Sequence, residues 1–217
     1  MATHKILMHD GDALEIETAT TVGTVARIVI TPQVLVGTET SIWPTSAVQM
    51  PLKNTDKAWY EATRRYGPYR YHPQRCEDWN LETGGNTDLG EPLVAPFNGL
   101  VLSARNWGGN IGRVVQILGG VDAQMVVWAG WHLQDIAVVA GQIVYAGDPL
   151  GTIGNADGRY AGAHLHEQIC ILNEYGVPHP RTFPSDGRYG WVQPSQFYID
   201  HGVDAALVER LAAWDGA

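Results

Sequence analysis

The stretch GTIGNADGRYAGAHLHEQI, residues 151–169, closes a glycine-rich run with His164-Leu165-His166. Alternate side chains on a β-strand point to the same side, so both imidazoles reach one face of a sheet. There they can share a metal or divide metal binding from proton transfer. Outward from this stretch the chain is punctuated by glycine and proline, and the apolar segments between are short and β-branched: ARIVIT at 26–31, QVLV at 33–36, RVVQIL at 113–118, AQMVVWAG at 123–130 and HEQICIL at 166–172. That pattern predicts a mainly β fold. Helical spacing occurs in two places, DKAWYEATRRY at 56–66 and DAALVERLAAWDG at 204–216. In the second, Val203, Leu207, Val208, Leu211 and Trp214 share one face behind an Asp204 cap, which predicts a C-terminal helix packed on the domain.

At 217 residues the chain has room for one full domain and smaller additions. Apolar residues make up 45% and charged residues 17%, and no run approaches the roughly 20 apolar residues of a membrane span. The N-terminal MATHKILMHDGDALEIE lacks a basic segment followed by an apolar one, so no secretory signal peptide is expected. A net charge of −9 argues against nucleic acid and anionic polymers as partners. Cys76 and Cys170 lie too far apart for a metal knuckle; two reduced thiols are expected, with a single disulfide left open. The reading divides the chain into a small β-rich N-terminal module with a short helix at 1–65, a central domain at 66–190 that opens on the aromatic YGPYRY segment, and a helical extension at 191–217.

Three separated segments supply residues able to ligate a metal or move a proton: Asp78, His132, His164 and His166. Around them stand Gly90-Glu91-Pro92-Leu93-Val94-Ala95, Asn98-Gly99-Leu100-Val101, Trp131-His132-Leu133, the glycine-spaced run from Val139 to Gly154, and His164-Leu165-His166. In order and spacing this series resembles the LytM-type, lysostaphin-like M23 family of zinc endopeptidases, which cut peptide cross-links in bacterial peptidoglycan. The resemblance covers about residues 72–170. It implies an antiparallel β-sheet peptidase domain, Asp78 and His166 as zinc ligands, and His132 and His164 as the pair that activates water and stabilises the oxyanion.

Two departures from the family pattern bear on activity. Gln74 stands where the family has its first histidine ligand, four residues before Asp78, and an amide oxygen is a far poorer zinc ligand than imidazole. His72 is displaced from that position by about 6.6 Å of extended chain, whereas Cys76, as a thiolate, is a chemically suitable substitute. After His166 the chain reads Glu167-Gln168 where the family commonly has an aromatic and an acid, leaving Glu167 either beside the site or facing solvent. Two functions follow from the resemblance: a working zinc peptidase, or a structural or wall-binding protein that retains the fold without cutting. The segments Glu77-Asp78-Trp79-Asn80 and Gly84-Gly85-Asn86-Thr87-Asp88-Leu89-Gly90 look like variants found in tailed bacteriophages. They imply a virion tail protein that meets the cell wall in company with other tail proteins, as an oligomer where the tail assembly requires it.

Overall fold

In the computed structural model, residues 47–62, 76–122, 124–172 and 190–212 are described, together with three short strands, β1 (Lys5–Leu7), β2 (Ala13–Glu17) and β3 (Arg27–Ile28). Those three pair in order as a small antiparallel sheet. The principal sheet contains β4 (Trp59–Glu61), β5 (Cys76–Leu81), β7 (Gly99–Asn106), β8 (Arg113–Val121), β9 (Gln124–Leu133), β11 (Ile143–Val144), β13 (Leu165–Ile171) and β14 (Trp191–Val192). Its order is β11-β7-β8-β9-β13-β5-β4, with β14 also on β13, and every pairing is antiparallel. A third sheet joins β10 (Asp135–Ile136), β12 (Pro149–Thr152) and β6 (Pro92–Val94). Helices α1 (Pro194–Asp200) and α2 (Ala205–Ala212) follow.

The mainly β architecture and the C-terminal helix are as expected. Asp204 caps α2, its Oδ1 accepting from Ala206 N at 2.9 Å, and Val208 and Leu211 are buried in the main core. Trp214 lies outside the described residues. Helix α1 falls within the helical extension expected at 191–217, ahead of the 204–216 stretch whose spacing marked a helix, and Pro194 occupies the first-turn position that suits proline.

The helix expected over 56–66 is corrected between Trp59 and Glu61, which form strand β4 in register with Leu81, Asn80 and Trp79 of β5. All three β4 residues are buried, and ladder bonds to β5 outweigh the local helical spacing. Residues 63–66 of that expectation, and the YGPYRY segment, lie outside the described residues.

Alternation gives the principal sheet two different faces. One carries Trp79, Leu81, Val115, Ile117, Trp128, Leu165 and Ile169 into the main core, where Phe197, Tyr198 and Leu211 also pack. The opposite face carries Asp78, Gln116, Ala129, His166 and Gln168 in the same strands. Gly154 brings the third sheet against this framework: a Cβ there would meet His132 O at 2.3 Å and Gln134 N at 2.4 Å. The missing side chain lets the chain before His164 pass directly over the end of β9, and Gly154 pairs with His164 itself.

Candidate functional site

Asp78 and His166 are directly opposed across β5 and β13, and both are buried. His166 Nδ1 lies 2.8 Å from Asp78 Oδ1. On the other side of the ring, His166 Nε2 lies 3.0 Å from Gln168 Nε2, two residues along the same face. The Trp131 ring covers His166 with centroids 4.5 Å apart. These contacts fix the imidazole in position and orientation, as a ligand or proton carrier requires.

His132 reaches the same place by breaking the strand rule. Its neighbour Trp131 faces the site, so plain alternation would send His132 into the main core. Between the pairs Arg113↔Leu133 and Val115↔Gly130, however, β9 uses three steps to two on β8. The extra residue is a bulge, and His132 sits in it at φ 67°. Both side chains consequently project to the site face, with His132 4.7 Å from His164 and 5.6 Å from His166 between ring centroids.

The two outer histidines are held alike. His132 Nδ1 is 3.0 Å from Ile111 O, and His164 Nδ1 is 3.1 Å from Gly162 O. A carbonyl only accepts, so each ring donates from Nδ1 and presents Nε2 as its basic nitrogen. His164 Nε2 stands 4.0 Å from Asp78 Oδ2. Burial, reinforced by His164 and His166, holds the His132 pKa well below the ordinary histidine value, so this ring stays neutral and can accept a proton. Tyr160, at 4.6 Å from His132 and 5.0 Å from His164, has its pKa raised by burial and then by the Asp78 charge, which keeps its O–H as a donor. Sequence reading passed over Tyr160 and Gln168; the first lies in the glycine-rich run, and the second is marked by its two-residue step from His166.

The structure brings together all four residues expected from sequence: Asp78, His132, His164 and His166. It does not add Cys76 to them as a donor. Among the described residues no three His, Cys, Asp or Glu side chains converge to hold a metal. Burial, then the charges of Asp78, Glu61 and Glu77, push the Cys76 thiol far above its usual range, so with no cation beside it the thiol stays protonated. Both cysteines are free and buried. Gln74 and His72 lie outside the described residues.

Glu167 occupies neither of its expected places. It is buried on the opposite face, where it accepts hydrogen bonds from Trp79 Nε1 at 2.8 Å, Trp128 Nε1 at 2.5 Å and the Tyr198 hydroxyl. Burial outweighs these bonds and lifts its pKa to about 7. Glu77, beside Asp78, is likewise lifted to about 7 by burial, while accepting from Ser195 N at 2.7 Å, Ser195 Oγ at 2.6 Å and Gln193 Nε2 at 2.8 Å. The residue next to each member of the Asp78–His166 pair is therefore tied to the C-terminal segment.

Residues 84–177 match peptidase family M23. The M23 match holds His132, Tyr160, His164, His166 and Gln168 but begins after Asp78, which enters the site through its register opposite His166. No curated protein matches the sequence. Solved structures that resemble the chain include a candidate M23 peptidase from Pseudomonas aeruginosa, at 21% identity and TM-score 0.45 over 71% of this chain and 54% of that one. A zinc-containing peptidase from Vibrio cholerae aligns at 25% identity and TM-score 0.39 over 48% and 31% of the two chains. The catalytic domain of lysostaphin from Staphylococcus simulans aligns at 21% identity and TM-score 0.46 over 70% and 99%. This chain thus spans 54% of the Pseudomonas protein and 31% of the Vibrio one. No helix among the described residues is long and apolar enough to cross a membrane.

Proposed function

We propose that the chain carries a zinc-dependent endopeptidase domain directed at peptide cross-links of bacterial peptidoglycan. The observation that carries this reading is the meeting of Asp78 and His166 on facing strands, with His132 turned out of its strand to stand 4.7 Å from His164. The M23 match over the three histidines supports it. Asp78 and His166 fit zinc as two of its donors: a carboxylate oxygen and an imidazole nitrogen, the ligand types zinc favours, stand 2.8 Å apart on one buried face. When bound, zinc supplies Lewis acidity sufficient to bring the pKa of water near neutrality.

His132 and His164 present basic Nε2 atoms from rings anchored at Nδ1, which suits them to take a proton from the attacking water and return it to the leaving amine. The Tyr160 ring packs against both histidines, and its O–H is the group there suited to donate to developing negative charge. Within this reading the chain works from a phage tail against the cell wall, beside other tail proteins. The likeness of residues 77–90 to phage variants supports that placement, and mass spectrometry of purified particles lacking this chain would remove it.

A second reading keeps the fold for wall binding or tail assembly without cutting. It draws on Gln74 in the first ligand position. The deciding experiment measures metal in protein purified without chelator, together with muropeptide release from purified walls. About one zinc per chain, with release lost in His166→Ala, supports the peptidase; no zinc and no release sinks it. Stronger zinc uptake in Gln74→His would show that the remaining ligands are in place.

A further inference from the structure

Gln168 is fully buried and only half used. Its Nε2 lies 3.0 Å from His166 Nε2, while its Oε1 has no hydrogen-bond partner. A buried acceptor without a donor is an uncompensated cost, and native structures rarely keep one without a reason. The state of the His166 ring supplies the reason. Asp78 Oδ1 faces Nδ1 at 2.8 Å and, as a carboxylate, only accepts. Nδ1 therefore carries the ring proton, Nε2 accepts, and Gln168 Nε2 donates to it.

We infer that Gln168 is a positioning residue with two settings, one for the metal-free ring and one for the metal-bound ring; the inference rests on the reading of Asp78 and His166 as zinc ligands. Were Asp78 and His166 to hold a cation together, the ring would offer it the nitrogen that faces Asp78, Nδ1. One proton leaves Nδ1 for solvent and one is taken up at Nε2, so the ring's proton count is unchanged. Nε2 is then a donor, and the present Gln168 orientation sets donor against donor. A half-turn of the amide about its terminal bond replaces Nε2 with Oε1, which accepts from the ring and ceases to be orphaned.

The displaced amide nitrogen also has a recipient in the same row of the sheet. Gln116 and Gln168 are both in register with Ala129, from its two sides, and Gln116 Oε1 is likewise buried without a partner. The two glutamines stand two strand spacings apart, about 9.6 Å, across a methyl side chain, a span that two glutamine side chains bridge. A polar relay, His166–Gln168–Gln116, thus runs along the ligand face itself, incomplete in the metal-free setting and completed in the other. By holding Nε2–H, Gln168 would fix the ligand tautomer and raise the basicity of Nδ1.

The test uses the full chain with 15N-labelled histidine. Long-range 15N–1H correlations are expected to place the His166 proton on Nδ1 without zinc and on Nε2 with it. Zinc affinity is read alongside by competition with a chromophoric chelator. Gln168→Leu should weaken zinc binding by about 10- to 100-fold, whereas Gln168→Glu, which can always accept from Nε2–H, should bind at least as tightly as the unaltered chain. A merely structural glutamine gives the reverse order, since the buried charge is then the worse change. If Gln168→Leu fails to fold, the glutamate variant and the ring correlations still decide. Unchanged affinity in both variants, or a ring proton that stays on Nδ1 with zinc present, overturns the role of Gln168 alone. Failure of the unaltered chain to take up zinc overturns the ligand reading and this inference with it.

Discussion

Strands β5 and β13 treat their two faces differently although consecutive residues supply them. Asp78 pairs with His166 on one face, and Glu77 with Glu167 on the other, in adjacent rungs of the same ladder. On the back face each carboxylate accepts three hydrogen bonds, Glu77 from the Gln193–Ser195 turn and Glu167 from Trp79, Trp128 and Tyr198. On the site face Asp78 and His166 bond each other, and the glutamine beside them keeps an oxygen unmatched. Burial is comparable; satisfaction is not. A buried acid given a full set of donors is a fastener, whereas a buried polar group left short of one retains capacity for a ligand.

The largest effect should come from the site face. Asp78→Asn should abolish measurable zinc uptake while shifting the urea unfolding midpoint less than back-face variants do; a comparable loss of stability would show that Asp78 is a fastener as well. Next, Tyr198→Phe removes one of the three donors to Glu167 and should cost about 1–3 kcal/mol with zinc affinity preserved. If zinc binding falls in parallel, the two faces are coupled through the strand and the contrast between them breaks down.

The smallest effect concerns Asp88, a buried acid of intermediate kind. Its Oδ2 accepts from Leu81 N at 3.4 Å and its Oδ1 has no partner, and burial raises its pKa to about 6. A carboxyl raised in the folded state favours folding most when protonated, so its contribution is full below about pH 4 and is lost as pH rises through about 6. Asp88→Asn should flatten the stability profile across that window by about 1 kcal/mol. Urea melts of both proteins at pH 4 and pH 7.5 measure it, and parallel profiles would discount the raised value.

Much of this arrangement was legible because strand alternation is rigid. Placing His166 on a strand already assigns Gln168 to the same face and Glu167 to the opposite one, yet Glu167 read as undecided because its family-like context drew attention to the site. His132 was recognisable as a residue but not in its geometry: alternation assigns it to the core, and neither the bulge nor the left-handed backbone leaves a mark in Trp131-His132-Leu133. The segment around Trp59 misled because its aromatic and alanine spacing satisfies a helix locally, whereas β5 lies some fifteen residues further on and decides the outcome by pairing. Gly154 stood out only as the end of a glycine-spaced run, but what it and Gly112 permit is close approach: a Cβ on Gly112 would come within 2.9 Å of Ala156 Cα.

The attachment of Glu77 and Glu167 to residues 193–198 sets a practical limit on any recombinant fragment. Ending the polypeptide at residue 190 would remove Trp191 and Val192 from the edge of β13 and strip Glu77 of all three donors described for it and Glu167 of its tyrosine. Glu77 would then sit without those donors directly behind Asp78, and Glu167 behind His166 would keep only its two tryptophans. A minimal expression unit for assays on cell walls should accordingly run at least through Ala212, with affinity tags placed beyond it.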